Sequence, residues 1–369
     1  MRTLFILSIA SGYGGAERSI ETILQHLPND VKVRIYAESP LHIERLSLAG
    51  AIPKGARLVK IMVTTQTVLG RRLAAMRLAV DVCKYQPEVV LVNTHSAALV
   101  AAMAAKFVKG LGHRCTLYIR DFLWRDLDFI FERLSGASVI TPNQVVIRRI
   151  GYLNPFYLAP VGLSSFDVIP DMVLIPSGEV CHDGPLLHLA TINPWKGHAD
   201  LILALHALKL QGRIIQACSV GIKDGGELQV RLQHLVRELG LTEDYALHPY
   251  VPNPDPWLRS CRAVVVPSVS HSGGPETFGR ATIEAWAYRK PVIAYACGAS
   301  AELIEDGVDG LLVPEGDIQA LARAVDWLDS HPQFAQQMGR AGHAKVIAQY
   351  EAAAITRRLI DHLLPSESL

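Results

Sequence analysis

The sequence predicts an α/β protein with two domains, each built around a parallel β-sheet. Its 369 residues are 50% hydrophobic and 19% charged, which is the composition of a globular protein long enough to form two cores. Short apolar runs also alternate with helical patterns along the chain. This alternation is typical of parallel sheets assembled from strand-helix units.

Ten apolar runs are the predicted strands. In the first half they are residues 4–8, 32–37, 89–93, 116–120 and 138–141, and in the second half residues 187–192, 213–220, 246–250, 263–267 and 291–296. Each half is therefore expected to form a Rossmann-like domain. Prolines and glycines cluster between residues 161 and 184 without helical periodicity, which indicates the join. We predict an N-terminal domain over 1–165, a linker over 166–184 and a C-terminal domain over 185–349.

The six cysteines show no Cys-x-x-Cys spacing, so the sequence suggests neither a zinc site nor a disulfide framework. No apolar run reaches the roughly 18 residues that span a bilayer. Residues 1–10 are interpreted as a first buried strand rather than a signal peptide. We therefore expect a cytoplasmic protein with reduced thiols.

The net charge of +1 conceals two oppositely charged halves. Residues 1–165 hold 20 Lys and Arg against 11 Asp and Glu, a net charge of +9, and the remainder carries −8. Part of the basic excess lies in a helical pattern at residues 70–80, with arginines at 71, 72 and 77. It is a surface helix packed on the core or, alternatively, an interfacial helix that gives peripheral association with the inner membrane face. The basic half could also bind an anionic acceptor; nucleic acid is not expected, because no binding motif accompanies the charge.

Two glutamates eight positions apart, Glu276 and Glu284, mark the predicted functional site. They lie in PETFGRATIEAWA, residues 275–287, which follows an apolar run and a loop rich in Gly and Ser. A strand, a tight loop and a helix start together form an anion site, because the first helical amides have no partner. The carboxylates would lie on the order of 10 Å apart. They are suited to hydroxyls at two ends of one ligand, such as a sugar and a ribose.

This stretch, together with residues 290–294, 298–302 and 306–313, resembles the retaining glycosyltransferases of family 4, and the resemblance is strong over residues 260–330. It implies the GT-B fold, with two Rossmann-like domains facing across a cleft and a last helix, residues 350–364, that crosses back onto the first domain. It also implies that Glu276 contacts the donor sugar and Glu284 the ribose. The phosphates would be held by the segment Thr277, Phe278, Gly279 and Arg280.

The same resemblance assigns further residues to the donor. Gly14 and Gly15, after the first strand, correspond to a glycine loop that borders the phosphates and the acceptor. Lys196 corresponds to a lysine that neutralises the diphosphate, whereas Thr191 stands where the family has an arginine. Because charge on the leaving group must be stabilised as the glycosidic bond breaks, Lys196 is expected to act with the helix amides. Arg280 is a candidate to replace the missing arginine.

On the first domain, Arg120 and Asp121 occupy the place where the family often has His-Asp near the reacting sugar. Arginine is always protonated and cannot act as a general base, but it can bind phosphate or orient a carboxylate. We therefore count both residues, with Glu276 and Lys196, among the candidate catalytic residues. His95, at another strand end, is a candidate on the acceptor side. Asp126 and Asp128 match an Asp-x-Asp metal motif but lie in a helical pattern, so no metal site is expected.

The function implied by the resemblance is transfer of a sugar, with retention, from a nucleotide diphosphate sugar to a glycan, a lipid-linked acceptor or a small molecule. The enzyme would need neither a metal nor a cofactor. Two alternatives remain at this point. A non-catalytic partner subunit that binds the donor is suggested by the departures at Thr191 and Arg120, and a nucleotide-sugar epimerase shares the two-domain architecture.

Overall fold

The computed structural model describes residues 2–48, 50–122, 124–153, 166–222, 226–271 and 274–365. The chain divides into two compact units. Unit 1 comprises Met1–Met172 and Ala352–Leu369, and unit 2 comprises Val173–Glu351. The boundary between them falls inside the predicted linker. The helix at residues 352–363, within the segment predicted to cross back, belongs to unit 1.

Unit 1 contains a seven-stranded parallel sheet in the order β3-β2-β1-β4-β5-β6-β7. Its strands are β1 (Arg2–Ser8), β2 (Val31–Ala37), β3 (Arg57–Lys60), β4 (Val89–Val92), β5 (Cys115–Tyr118), β6 (Ser138–Thr141) and β7 (Phe166–Val168). Its helices are α1 (Gly15–Gln25), α2 (Pro40–Leu46), α3 (Val68–Tyr85), α4 (His95–Ala104), α5 (Leu127–Arg133), α6 (Gln144–Leu153) and, at the end of the chain, α14 (Ala352–Leu363).

Unit 2 contains a six-stranded parallel sheet in the order β10-β9-β8-β11-β12-β13. Its strands are β8 (Leu186–Leu189), β9 (Ala217–Ile222), β10 (Tyr245–Pro249), β11 (Ala263–Val266), β12 (Val292–Tyr295) and β13 (Gly310–Val313). Its helices are α7 (His198–Leu210), α8 (Gly226–Glu238), α9 (Asp255–Ser260), α10 (Arg280–Ala287), α11 (Ser300–Leu303), α12 (Ile318–Ser330) and α13 (Pro332–Gln349).

The central strands are apolar on both faces because helices cover both sides of each sheet. In β1 the residues from Leu4 to Leu7 are fully buried. Their side chains alternate between two hydrophobic clusters, one on each side of the sheet. These strands are therefore recognisable in the sequence as unbroken apolar runs rather than as alternating apolar and polar residues.

All ten predicted strands are present, and three further strands were missed. The missed strands are β3, β7 and β13, and each lies at the edge of its sheet. Edge strands have a neighbour on one side only and are often short or polar. In β3, with the sequence RLVK, only Val59 is buried. A short strand of this kind lacks the apolar run that made the others recognisable.

Helix α10, which carries half of the predicted site, is fixed by one large buried side chain. Trp286 is fully buried, and its indole nitrogen donates a hydrogen bond of 2.8 Å to the carbonyl of Asp309. Gly342 of α13 faces the indole ring, and a Cβ there would lie 2.1 Å from it. The close packing of α13 on α10 therefore requires a glycine at this position.

Candidate active site

The strands β8 and β11 are neighbours in the sheet of unit 2, and the chain leaves them in opposite directions across the sheet. This arrangement is a topological switch point, and ligands of open α/β sheets bind beyond the carboxyl ends of the strands at such a point. The loop after β8 carries Lys196, and the loop after β11 carries Glu276. The two residues that the sequence separates by 80 positions therefore meet at one edge of the sheet.

The loop that carries Lys196 is pinned to the end of β11. Residues Pro194–Lys196 form a single 3-10 turn, and Gly197 follows with a φ of +71°. A Cβ on Gly197 would lie 1.9 Å from the carbonyl oxygen of Pro267, so only glycine permits this approach. The amide of Val269 also donates a hydrogen bond of 2.8 Å to the carbonyl of Trp195.

Lys196 and Glu276 form an ion pair between these loops. The ammonium of Lys196 contacts Oε1 of Glu276, and the hydroxyl of Ser268 donates to the same oxygen at 3.0 Å. The two charged side chains are only 17% and 12% exposed. Among the described residues both contacts use Oε1, which leaves Oε2 available to a ligand hydroxyl.

The backbone of Glu276 is held by the segment that follows β12. The amide of Ala299 donates a hydrogen bond of 2.9 Å to the carbonyl of Glu276. Gly298 has a φ of +54°, and a Cβ there would lie 2.5 Å from the same carbonyl oxygen. The Gly-Ala-Ser-Ala-Glu motif at residues 298–302 therefore acts structurally, by fixing the position of Glu276.

Helix α10 begins beside this pair. Gly279 caps it with a φ of +86°, and the amides of Thr282 and Ile283 donate to the Gly279 carbonyl. The side chain of Phe278 is buried against Tyr350, with ring centroids 5.9 Å apart. The helix begins at Arg280. The positive end of its dipole still lies at the end of the Glu276 loop.

Glu284 is buried on α10 and paired with Arg280, whose Nε lies 3.0 Å from Oε1 of the carboxylate. The charge of Arg280 is therefore already balanced within the helix. Thr191, at the place of the family's arginine, accepts a hydrogen bond of 3.0 Å from the side-chain amide of Asn193. Lys196, held by its ion pair with Glu276, is thus the cation that the loop after β8 places beside the Glu276 loop.

The remaining predicted residues lie on unit 1, beyond the carboxyl ends of β1, β4 and β5. The amide of Gly14 donates 2.7 Å to the carboxylate of Glu17, which closes the start of α1, and Gly15 is the first residue of that helix. Nε2 of His95 lies 2.9 Å from the carbonyl of Arg125. Asp121 is partly exposed after β5.

Arg120 is buried deeply after β5, with 7% of the residue exposed. Its guanidinium stacks on the ring of Tyr118 at 3.7 Å, and Nη1 lies 3.3 Å from Oδ1 of Asp171. Asp171 also accepts a hydrogen bond from Ser19. Sequence inspection missed Asp171, which is polar but lies in the proline-rich stretch assigned to the linker. It also missed Ser268, whose place directly after a strand was the available signal.

Behind the Lys196 loop lies a pair of buried histidines. The rings of His188 and His198 are 4.3 Å apart, and Nδ1 of His188 lies 3.0 Å from the hydroxyl of Ser219. Burial, with a smaller contribution from the charge of Lys196, lowers the pKa of His198 to about 4. Burial also lowers the pKa of His188 well below its usual value. Both rings are therefore neutral at pH 7.

We expect this pair to make the fold sensitive to acid. An unfolded histidine has a pKa of about 6.5, so between about pH 6.5 and the folded value of about 4 the unfolded chain binds a proton that the folded chain does not. The free energy of unfolding should fall as the pH decreases, by about 2 kcal/mol between pH 7 and pH 5 for His198 alone. Urea unfolding at both pH values measures this, with His198→Leu reducing the difference. The same substitution at His234, exposed on α8, is the control and should leave the difference unchanged.

Among the described residues, no group of three or more His, Cys, Asp or Glu side chains is arranged to hold a metal ion. Asp126 and Asp128 lie at the start of the short helix α5, as the helical pattern predicted. The cation provided by the described part of the site is the ammonium of Lys196.

Part of the chain matches a known protein family. Residues 183–345 match the family of glycosyl transferases group 1. The chain is 32% identical over 180 residues to the D-inositol 3-phosphate glycosyltransferase of Streptomyces griseus, an alignment that covers 46% of this chain and 37% of that protein. The chain thus spans about two fifths of the length of the curated relatives it matches.

Solved structures match over nearly the whole chain. A glycosyltransferase from Rickettsia africae superposes with a TM-score of 0.80 and 18% identity, covering 99% of both chains. HepE of Anabaena in complex with UDP-glucose superposes with a TM-score of 0.77 and 20% identity, covering 98% of this chain and 99% of that one. These likenesses confirm the predicted GT-B fold, and the match to the family of glycosyl transferases group 1 lies in residues 183–345.

Proposed function

We propose that the protein transfers a sugar from a nucleotide diphosphate sugar to an acceptor hydroxyl, with retention of configuration at the anomeric carbon. The observation that carries the proposal is the contact between Lys196 and Glu276 beside the start of α10. A cation and a helix start suit a diphosphate, and a carboxylate with an open oxygen suits the hydroxyls of a sugar. Side by side, they match the two parts of one donor.

The donor would lie across the carboxyl edge of unit 2. The ammonium of Lys196 carries three N–H donors. One is directed at Glu276, and the other two are available to phosphate oxygens. The amides from Thr277 to Arg280 would hold the same phosphates. Glu276 would orient the sugar through Oε2, and Glu284 would accept a hydrogen bond from the ribose.

The reaction needs only the groups of this site. The bond between the anomeric carbon and the phosphate oxygen breaks, and a bond from that carbon to the acceptor oxygen forms on the same face. The acceptor proton passes to the departing phosphate oxygen, whose charge Lys196 and the helix amides stabilise. No protein carboxylate is required as nucleophile. A metal-independent reaction is consistent with a site that supplies its own cation.

Unit 1 would supply the acceptor side. Gly14 and Gly15, the candidate acceptor-side residue His95 and the candidate catalytic residue Asp121 lie beyond neighbouring strands of one sheet. Arg120 would act through position: its buried guanidinium, paired with Asp171 and stacked on Tyr118, fixes the backbone from which Asp121 projects. The acceptor is a glycan, a lipid-linked molecule or a small molecule. We place the reaction in the cytoplasm.

A panel of UDP-, GDP- and ADP-sugars tests the donor site, with UDP-glucose first because HepE binds it. We expect one of them to raise the melting temperature of the full chain and to be slowly hydrolysed when no acceptor is present. Proton NMR of the transferred or hydrolysed sugar should show the configuration of the donor retained. An isomeric sugar nucleotide would instead identify an epimerase. Binding without any turnover, with acceptors supplied, would identify a non-catalytic partner.

A further inference from the structure

Helix α3 presents apolar side chains to solvent as well as to the core. Leu69, Leu73, Met76 and Val80 are spaced by four, three and four residues, which places them on one face of the helix. All four are between 44% and 66% exposed, and they extend over roughly 16 Å of helix. The opposite face packs into the core through Ala, Leu and Val residues. We call the four exposed residues the α3 stripe.

The charges around the α3 stripe are almost all positive. Between residues 60 and 85 the single acidic residue is Asp81, which is buried and accepts hydrogen bonds from Tyr36 and Arg77. The cations of the same segment are Lys60, Arg71, Arg72, Arg77 and Lys84. Arg77 is paired with Asp81, whereas Lys60, Arg71, Arg72 and Lys84 make no ion pair among the described residues, so solvent meets apolar side chains flanked by net positive charge.

The α3 stripe begins beside an open cavity of about 790 Å³ in unit 1. A Cβ on Gly70 would lie 1.9 Å from the carbonyl of Thr64, so the first turn of α3 rests on the loop that lines the cavity. Leu48 and Met62 at the cavity are 60% and 83% exposed. Two carboxylates also line it: Glu38, which accepts hydrogen bonds from Thr65, and Glu44. The apolar surface thus continues from the helix to the cavity.

We propose that the α3 stripe, together with Leu48 and Met62 of the cavity rim, docks onto an anionic lipid surface. Apolar residues on one helical face, flanked by arginines, are what holds a helix in the interface of an anionic bilayer. A second copy of the chain is a poorer occupant, because two stripes in contact would bring the arginines of both copies together. No helix among the described residues is long and apolar enough to cross a membrane. The contact is therefore interfacial.

Docking to a membrane would influence which class of acceptor the protein uses. If the protein transfers a sugar as proposed above, binding to a bilayer would place unit 1 next to an acceptor anchored in lipid. That consequence rests on the proposed function and favours a lipid-linked acceptor over a free glycan or a small molecule. The docking itself depends only on α3 and the cavity rim.

Flotation of the full chain with lipid vesicles tests the docking. We expect binding to vesicles of phosphatidylglycerol, weak binding to vesicles of phosphatidylcholine, and a decrease when the ionic strength rises from about 0.05 M to about 0.5 M. The double variant Leu73→Glu/Met76→Glu should bind at least about tenfold more weakly. Arg71→Gln/Arg72→Gln should weaken binding to anionic vesicles roughly 30-fold.

The matched control is Val230→Glu/Ile347→Glu, which places the same charges on exposed apolar positions of unit 2 and should bind like the wild type. The shift in melting temperature with UDP-glucose, measured on every variant, reports the donor site separately. Vesicle binding with no donor shift would sink the proposed function and leave the docking intact. Absence of vesicle binding, or equal binding by the Leu73→Glu/Met76→Glu variant, would overturn the docking. The docking would also be overturned if light scattering showed a dimer that the Leu73→Glu/Met76→Glu variant dissociates, with no binding to vesicles.

Discussion

Replacing Lys196 with alanine is expected to lower the rate of sugar transfer by about 10²- to 10³-fold, the loss typical of removing one group that stabilises developing charge. The physical reason is that the charge of Arg280 is balanced by Glu284, so that Lys196 is the cation that the described part of the site offers to the diphosphate. Glu276→Gln should lower the rate by a similar factor, because a neutral amide neither holds Lys196 nor accepts strongly from the sugar. Initial rates with saturating acceptor and several donor concentrations measure both.

The double variant Lys196→Ala/Glu276→Gln separates catalysis from stability. Each single change leaves a half-buried charged or polar group without its partner, at a cost of about 1–3 kcal/mol in the free energy of unfolding. The double variant should recover part of that stability while its transfer rate stays as low as in the singles. Lys209→Ala, which breaks the Lys209–Asp244 pair elsewhere in unit 2, should transfer sugar at the wild-type rate. Recovery of the rate together with the stability would mean that the pair is structural.

Much of this site could be predicted because local sequence determines it. A buried parallel strand is a continuous apolar run, and glycines mark the loops where backbone approaches backbone, as at Gly197 and Gly298. The family resemblance then assigned roles to Glu276, Glu284 and Lys196. The pairing of Lys196 with Glu276 required the strand order of the sheet, since the two residues are far apart along the chain.

What could not be predicted depends on contacts between distant segments. Arg120 was recognised as a departure from the family, but its ion pair with Asp171 joins two segments 51 positions apart, and no local pattern connects them. The role of Arg280 near the donor site could not be decided from the sequence either. Arg280 was a candidate to compensate for Thr191, and its burial beside Glu284 depends on which face of α10 packs on the core.

The α3 helix shows the same limit. Its sequence fitted either a helix packed on the core or an interfacial helix, because apolar residues occupy more than one face. The structure shows small residues such as Ala74 and Ala75 buried and larger ones such as Leu73 and Met76 exposed. Periodicity alone gives the number of apolar faces, and the fold decides which of them is covered.

The second large effect is expected from Gly197→Ala, a change that alters no charged group. Its φ of +71° disfavours any residue with a Cβ, and the added Cβ would lie 1.9 Å from the carbonyl oxygen of Pro267. Either the loop after β8 or the end of β11 must move. We expect a loss of roughly 2–4 kcal/mol in the free energy of unfolding and, because Lys196 precedes this glycine, a large rise in the donor concentration needed for half-maximal rate.

Gly212→Ala is the matched control for backbone strain. Gly212 follows the same helix, α7, at its other end and has a φ of +77°, but a Cβ there would meet nothing within 4 Å. That variant should lose only about 1 kcal/mol and keep wild-type donor binding. Urea unfolding and donor titrations of both variants measure the comparison. Equal losses would show that strain in φ, rather than the contact with Pro267, makes glycine necessary here. A larger loss in Gly197→Ala with unchanged donor binding would show that the contact stabilises unit 2 without positioning Lys196.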